Sequence, residues 1–227
     1  MIIRHDTDPV KYLAEETSIP SLGSFKPYGD HAILIHPFWL LTAAHVANYL
    51  STDDVFSFLD GCEFSIDRIV LHPGNCEEPE FRDDLALMRL KKPRTDIDPI
   101  ELYTGDEELD RIVTFFGRGE TGDGLTGPNK EDTKLRLAQN RICQVDNQWI
   151  VFRFDAPGEE TVLPLEGISG PGDSGGPALL KTANDTWLLA GISSWQDHQG
   201  PQGIYGVYEY YARVSRYINW INSIINP

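Results

Sequence analysis

The sequence is poor in cysteine, in basic residues and in long apolar runs. Three cysteines among 227 residues allow at most one disulfide bond, which excludes the disulfide-stapled scaffolds of small secreted domains. Nineteen Lys and Arg face 35 Asp and Glu, giving a net charge of −16, so the basic footprint that duplex binding requires is missing. No apolar run reaches the roughly 18–20 residues that span a bilayer. We therefore expect neither a nucleic-acid nor a membrane partner.

The N-terminus contains no long apolar stretch of the kind that marks a secretory signal. As it stands the sequence is typical of a cytoplasmic protein, although a secreted or periplasmic protein whose signal had been removed would look the same. With 41% hydrophobic and 24% charged residues, the composition is that of a folded globular protein. We expect a monomer with one large domain or two smaller ones.

Short apolar runs, rich in β-branched and aromatic residues, alternate with turn residues along most of the chain. Examples lie at residues 31–36, 85–90 and 203–208, and no long helical pattern separates such runs. This spacing predicts an all-β, antiparallel barrel or sandwich. The C-terminus is an exception, because apolar residues at helical spacing from Val214 to Ile225 predict an amphipathic helix.

Two segments indicate how the chain is organised. The stretch 117–134 is rich in glycine and charge and predicts a long mobile loop. Prolines and acids near residues 95–110 indicate a seam between domains, which would divide the chain into 1–104 and 105–227.

Three short segments carry the residue types that acyl transfer requires. His45 ends a Thr-Ala-Ala-His segment, Asp84 opens an Asp-Leu-Ala-Leu segment, and Ser174 lies in a Gly-Asp-Ser-Gly-Gly-Pro turn. An imidazole can take the proton of a serine hydroxyl and return it to a leaving amine, and a carboxylate can fix the tautomer of that imidazole. From the residues alone, Asp83 is as good a candidate for this carboxylate as Asp84. The amides of Gly172 and Ser174 are candidates for stabilising an oxyanion.

In the order His, Asp, Ser, these segments resemble those of the chymotrypsin/trypsin-like serine proteases. The resemblance extends from about residue 30 to the C-terminus and includes Gly-Ile-Ser-Ser-Trp at 191–195. It implies two six-stranded antiparallel β-barrels with a C-terminal helix, and a cleft that receives His45 and Asp84 from the first barrel and Ser174 from the second. The activity implied is that of a serine endopeptidase acting on a peptide or protein without a cofactor. A protease-fold binding module or a zymogen-like pseudoprotease is the alternative.

A second enzyme family has a similar serine motif. The segment around Ser174 also matches the Gly-x-Ser-x-Gly turn of α/β-hydrolases, which need an acid and then a histidine after the serine. Only His198 follows Ser174 here, and Pro177 leads into a strand-like sequence instead of a helix. We therefore reject this alternative.

The chain departs from the family at its cysteines. Val46 follows His45, and Gly170 precedes the serine, at positions where the family usually carries cysteine. The missing disulfides suggest a bacterial member that works in a reducing compartment. Two alternatives stay open for Cys62 and Cys76: they form a disulfide bond with each other, or they are free buried thiols.

The remaining histidines, among them His31 and His198, lack the spacing of metal ligands and are interpreted as surface or strand-end residues. The acids at Asp53, Asp54 and residues 77–80 are interpreted as solvated faces in preference to a calcium site. We therefore expect no metal.

The N-terminus also differs from the family. There, a freed Ile amine pairs with the Asp before the serine, which is Asp173 here. The chain carries Ile-Ile-Arg-His from Ile2 onward in place of the usual Ile-Val-Gly-Gly. We expect the N-terminal segment to insert near Asp173, after processing or through another group. The alternative is a strand that simply docks on the second barrel.

The resemblance also implies the floor of a pocket for P1, the substrate residue whose carbonyl is attacked. Ile168, six residues before the serine, stands at the floor, where a trypsin-type pocket would have an acid, and Ser169 lies beside it. An ungapped count from the C-terminus brings Glu209 to a second floor position. Aligning Gly-Val-Tyr at 206–208 with the family instead places Glu209 in an insertion. We favour the ungapped count, hence a weak preference for basic or mixed P1 residues.

The opposite wall of the pocket would contain Ser194, Trp195 and Gln196. Gln196 replaces the common glycine and narrows the entrance. The resemblance further implies that Ser194 supports Asp84 by a hydrogen bond.

Overall fold

A computed structural model of the chain describes residues 1–76, 82–197 and 200–226. The acids at 77–80 and His198, considered above, lie outside these ranges. Within them, no helix is long and apolar enough to cross a membrane. The same ranges contain no group of three or more His, Cys, Asp or Glu side chains placed to hold a metal ion.

Six strands in the first half of the chain close into a barrel. A short N-terminal strand and these six are β1 (Ile2–Ile3), β2 (Leu22–Lys26), β3 (His31–His36), β4 (Trp39–Thr42), β5 (Val55–Phe58), β6 (Glu63–Leu71) and β7 (Ala86–Leu90). The barrel order is β2-β3-β4-β7-β6-β5, and its neighbouring strands are antiparallel. Ile33, Leu41 and Leu87 are paired in register across β3, β4 and β7 and are fully buried. Each such side chain contributes about 1.5–3 kcal/mol through burial.

The second half of the chain forms another barrel. The strands of this half are β8 (Glu101–Leu102), β9 (Ile112–Gly117), β10 (Thr121–Asp123), β11 (Gly127–Lys130), β12 (Arg136–Val145), β13 (Trp149–Arg153), β14 (Gly167–Ile168), β15 (Pro177–Lys181), β16 (Trp187–Asp197) and β17 (Tyr208–Arg213). The order β15-β9-β12-β13-β17-β16 closes by pairing of β15 with β16, and β8 joins β16 in parallel. Phe115, Phe152 and Tyr211 pack ring against ring in its core. The prediction of two six-stranded barrels is therefore confirmed.

A small third sheet, which the sequence did not predict, has the order β11-β10-β1-β14. The N-terminal strand β1 lies in its middle, with Ile2 paired to Gly122 on one side and to Ile168 on the other. The stretch 117–134, expected to be a long loop, thus contains β10 and β11. The glycines of this stretch give no alternating pattern that would predict strands. These strands are held by β1, which lies more than a hundred residues away in sequence.

Two α-helices, and two short 3₁₀ helices near the N-terminus at Pro9–Tyr12 and Glu16–Ser18, complete the described structure. Helix α1 (Ala44–Ala47) follows β4, and helix α2 (Ile218–Ile225) follows a 3₁₀ turn at Val214–Tyr217. Ile221 of α2 is fully buried in the cluster that also contains the core of the first barrel. The predicted C-terminal amphipathic helix is confirmed.

Cys62 and Cys143 are free, exposed thiols. Among the described residues Cys62 therefore has no disulfide partner, and it is exposed, unlike the buried thiol considered above.

Candidate active site

His45 and Asp84 meet in the first barrel. His45 lies in α1, directly after β4, and Asp84 lies just before β7, the neighbour of β4. The Nδ1 atom of His45 is 2.8 Å from Oδ2 of Asp84, and the His45 amide donates to Oδ1 at 2.8 Å. Ser194, from β16 of the second barrel, also donates its hydroxyl to Oδ2. Asp84 is completely buried, whereas the His45 side chain is 22% exposed.

The neighbouring acid, Asp83, has a different partner. Asp83 has a positive φ of 49°, and its Oδ1 accepts a hydrogen bond of 2.9 Å from the hydroxyl of Tyr217. The structure therefore directs Asp84 to the imidazole and Asp83 to the C-terminal segment. Residue type alone did not separate the two acids, and it was the family resemblance that pointed to Asp84.

Ser174 occupies a tight turn between β14 and β15, at the seam between the barrels. Its carbonyl accepts a hydrogen bond of 2.8 Å from the amide of His31, the first residue of β3. The next residue, Gly175, has a φ of +73°, and a Cβ atom there would clash with the His31 carbonyl and with Thr42 Oγ1. Only glycine allows this close approach. The turn is thereby fixed to the strands that lead to His45.

The amides of Gly172 and Ser174 point away from the protein acceptors around them. Each of these amides shares a peptide group with the carbonyl of the preceding residue. The Pro171 carbonyl accepts a hydrogen bond from the Glu120 amide at 2.7 Å, and the Asp173 carbonyl accepts one from the Gly176 amide at 3.0 Å. Because N–H and C=O point in opposite directions in a trans peptide, both N–H groups face the other way. Within the ranges that the structure describes, neither donates to a protein acceptor.

His31 is a buried part of this site. It stands at the end of a strand, one of the two places expected from the sequence, and it does not lie at the surface. It is 1% exposed, its Nδ1 lies 2.9 Å from the Gly172 carbonyl, and its Nε2 accepts from the Arg118 amide at 3.2 Å. A carbonyl can only accept and an amide can only donate, so the ring is neutral with its proton on Nδ1. Burial lowers the pKa of His31. In the sequence, its place at the start of an apolar strand was the only sign of this role.

Asp173 forms a buried ion pair with the N-terminus. The amino group of Met1 lies 2.6 Å from Oδ2 of Asp173, and the two groups are 1% and 2% exposed. The amides of Gly119 and Gly170 donate to the same carboxylate at 2.7 and 2.9 Å. Burial by itself raises the pKa of Asp173, but the Met1 ammonium and the hydrogen bonds outweigh it and the pKa is lowered. The N-terminal segment therefore both inserts at Asp173 and docks as strand β1.

Glu209, Ser169 and Gln196 form a polar cluster beside an apolar floor. Glu209 is 1% exposed, and its carboxylate accepts from the amide and the hydroxyl of Ser169. Ile168 is fully buried with Ile2 in a separate apolar cluster. Glu209 lies within β17, whose pairing with β13 shows no register shift, so it is part of a regular strand.

An aromatic groove adjoins this cluster. Trp195 and Tyr210 stack with ring centres 4.0 Å apart, and Trp149 meets Trp195 edge to face at 6.2 Å. The groove has a volume of about 560 Å³ and is also lined by Arg82 and Asp146.

The protein has two closed barrels. One contributes an imidazole that contacts a buried carboxylate, and the other contributes a glycine-rich serine turn. This is the architecture of a chymotrypsin-like serine protease domain. Residues 14–221 match the family description "Trypsin", and the chain belongs to this family. It is similar to mouse "Transmembrane protease serine 11E", with 30% identity over 82% of this chain and 48% of that protein. It is also similar to mouse "Transmembrane protease serine 11C", with 29% identity over 81% of this chain and 46% of that protein.

The chain thus spans about half the length of these relatives. Both are mouse proteins, so the comparisons give no support for a bacterial origin.

Proposed function

We propose that this chain is a serine endopeptidase that hydrolyses peptide bonds through an acyl-enzyme. The observation that carries the proposal is the buried carboxylate of Asp84, which accepts from Nδ1 and from the amide of His45 and from the hydroxyl of Ser194. These bonds hold the proton of His45 on Nδ1 and leave Nε2 as the basic nitrogen. Such a base is what a serine nucleophile needs.

The proposed reaction begins with attack of Ser174 Oγ on the peptide carbonyl carbon, while the hydroxyl proton passes to His45 Nε2. The carbonyl oxygen becomes an oxyanion that accepts from the amides of Gly172 and Ser174. Collapse breaks the C–N bond, and His45 gives its proton to the departing amine. Water then attacks the acyl-enzyme with His45 again acting as base, and Ser174 is released. Removing one oxyanion donor in such a site costs about 3–4 kcal/mol of barrier.

The ion pair between Met1 and Asp173 has a supporting role in this proposal. Asp173 lies between the two residues whose amides would hold the oxyanion, and its carboxylate also accepts from Gly119 and Gly170. A buried carboxylate held by an ammonium and two amides keeps the turn in one conformation. We therefore assign Asp173 as a positioning residue for the oxyanion site.

We propose a weak preference for a basic or mixed P1 residue. Glu209 supplies an acid near the floor, which favours a basic P1 residue. Ile168 supplies an apolar surface, which favours an apolar one, so the two residues together give only a weak preference. The groove beside Trp195 would receive the preceding residues of an extended peptide.

Pre-steady-state hydrolysis of a peptide p-nitrophenyl ester tests the proposal. An acyl-enzyme gives a burst of product equal to the enzyme concentration, followed by a slower steady state. Asp84→Asn should lose the burst while keeping the fold. A folded wild-type protein that gives no burst and no turnover with any peptide ester would contradict the proposal and favour a binding module.

A further inference from the structure

In the proposed P1 pocket, the polar groups of Glu209 and Ser169 beside the apolar floor are covered by another side chain of the protein. Glu209 and Ser169 are 1% and 5% exposed, although each offers oxygen atoms that accept hydrogen bonds. The residue that covers them is Gln196. It is the antiparallel partner of Glu209 in the pairing of β16 with β17.

The amide of Gln196 binds two acceptors of this cluster. Its Nε2 donates to the Ser169 carbonyl at 3.0 Å and to Oε1 of Glu209 at 3.2 Å. A carbonyl and a carboxylate around one NH₂ group form the environment that the ammonium of Lys or the guanidinium of Arg requires. Gln196 thus satisfies in the free protein the groups that a basic side chain would satisfy in a complex.

We propose that Gln196 is a built-in competitor for the P1 site, which a basic P1 residue displaces in order to bind Glu209 and Ser169. This inference rests on the proposed protease function and names the feature that keeps its preference for a basic P1 residue weak. An apolar P1 side chain has no donor to replace the bonds that Gln196 makes, so it leaves the amide in place.

The geometry favours displacement of the Gln196 amide by a cation. The Oε1 atom of Gln196 is buried and has no hydrogen-bond partner among the described residues. An unpaired buried acceptor disfavours the closed arrangement, and outward rotation of the side chain would return this oxygen to water. An ammonium or guanidinium adds the Coulomb attraction between two full charges, which the neutral amide of Gln196 cannot supply. Lys or Arg therefore gains from the exchange.

The charge of Glu209 makes the exchange depend on pH. Burial raises the pKa of Glu209 to about 7, although the bonds from Ser169 and Gln196 favour the anion. The other ionisable groups facing it are Asp173, from the serine turn, and Tyr211, from its own strand. Below pH 7 the neutral acid attracts a cation weakly, and above pH 7 the carboxylate attracts it strongly.

From β13, the charged neighbour is Arg153, next to the strand partner of Glu209. Its guanidinium is held by Asp155 and Glu159. On β16, Asp197 follows Gln196 and points to the opposite face of the strand. Neither supplies a counter-ion to Glu209.

The test compares kcat/KM for two peptides that differ only in P1, one with Lys and one with the neutral, isosteric norleucine. In Gln196→Gly we expect the Lys-to-norleucine ratio to rise about tenfold, the effect of one hydrogen bond to a charged group. Gln196→Met keeps the length of the side chain without its donors, and we expect a rise there too. Gln144→Ala, an exposed glutamine on β12, is the matched control and should leave the ratio unchanged.

In wild type, we expect the same ratio to increase between pH 6 and pH 8, and Glu209→Gln should abolish that increase. A ratio that rises in Gln196→Gly and stays unchanged in Gln196→Met would show that volume acts in place of hydrogen-bond competition, and would overturn the inference. An unchanged ratio in both variants would overturn it as well.

Labelling with a fluorophosphonate, which attacks the serine without a P1 side chain, separates this failure from failure of the proposed function. Normal labelling with unchanged ratios refutes only the role of Gln196. No labelling of folded wild type or variants refutes both.

Discussion

Replacing Asp173 by Asn tests whether the buried N-terminal ion pair holds the serine turn. The substitution keeps the shape of the side chain but leaves the Met1 ammonium, 1% exposed, without its counter-ion. Removing one partner of a buried ion pair costs about 3–5 kcal/mol. We therefore expect the free energy of unfolding, measured by urea denaturation at pH 7, to fall by that amount. The labelling rate of Ser174 by a fluorophosphonate should fall by about a hundredfold, the effect of a lost oxyanion donor.

The matched control is Asp185→Asn. The side chain of Asp185 is 83% exposed and pairs with Lys181 at 2.6 Å. A surface pair of this kind is worth at most about 1 kcal/mol. Because the pKa of Asp173 is lowered in the folded protein, its contribution is complete above the unfolded value near 4 and is lost as the pH falls further. The difference between wild type and Asp173→Asn should therefore narrow below about pH 4. A loss no larger than that of the control would refute the reasoning.

Three other substitutions test the site. Asp84→Asn should lower kcat for a peptide substrate by about 10³–10⁴ with unchanged secondary structure by circular dichroism, because the imidazole loses its preferred tautomer; a loss under tenfold contradicts the assignment. Ser194→Ala should lower kcat roughly tenfold at unchanged KM, since Asp84 loses a charge-assisted donor; a change confined to KM would point to the pocket instead. His31→Gln keeps a donor and an acceptor but does not titrate. Because the buried His31 has a lowered pKa, wild-type stability should fall between pH 7 and pH 5 as the unfolded chain binds a proton, and the variant should fall less steeply in urea denaturation; equal slopes would be evidence against a buried neutral ring.

Local, periodic signals predicted an antiparallel all-β fold and the C-terminal helix, whereas the two six-stranded barrels followed from the resemblance to the protease family. Short apolar runs rich in β-branched and aromatic residues define strands such as β3 and β9. The small sheet around β1 has no such signal. Its strands are two to four residues long and rich in glycine, and they exist because the N-terminal segment packs between them.

The parts of the site that the sequence could not define depend on contacts between distant residues. Asp83 and Asp84 are equivalent by residue type, and their different partners, Tyr217 for Asp83 and His45 for Asp84, appear only in the folded chain. The buried state of His31 follows from the serine turn that covers it. The bonds of Gln196 to Ser169 and Glu209 join three segments that only the closed second barrel brings together.

The most direct measurement of the central claim is the intact mass of the protein after treatment with diisopropyl fluorophosphate, with Ser174→Ala as the control. The account predicts one diisopropylphosphoryl adduct on wild type and none on Ser174→Ala, because nucleophile, base and oxyanion donors must all be assembled for the reaction. An unmodified mass for wild type that is folded by circular dichroism would contradict the account. An adduct of equal yield on Ser174→Ala would contradict the assignment of Ser174 as the nucleophile.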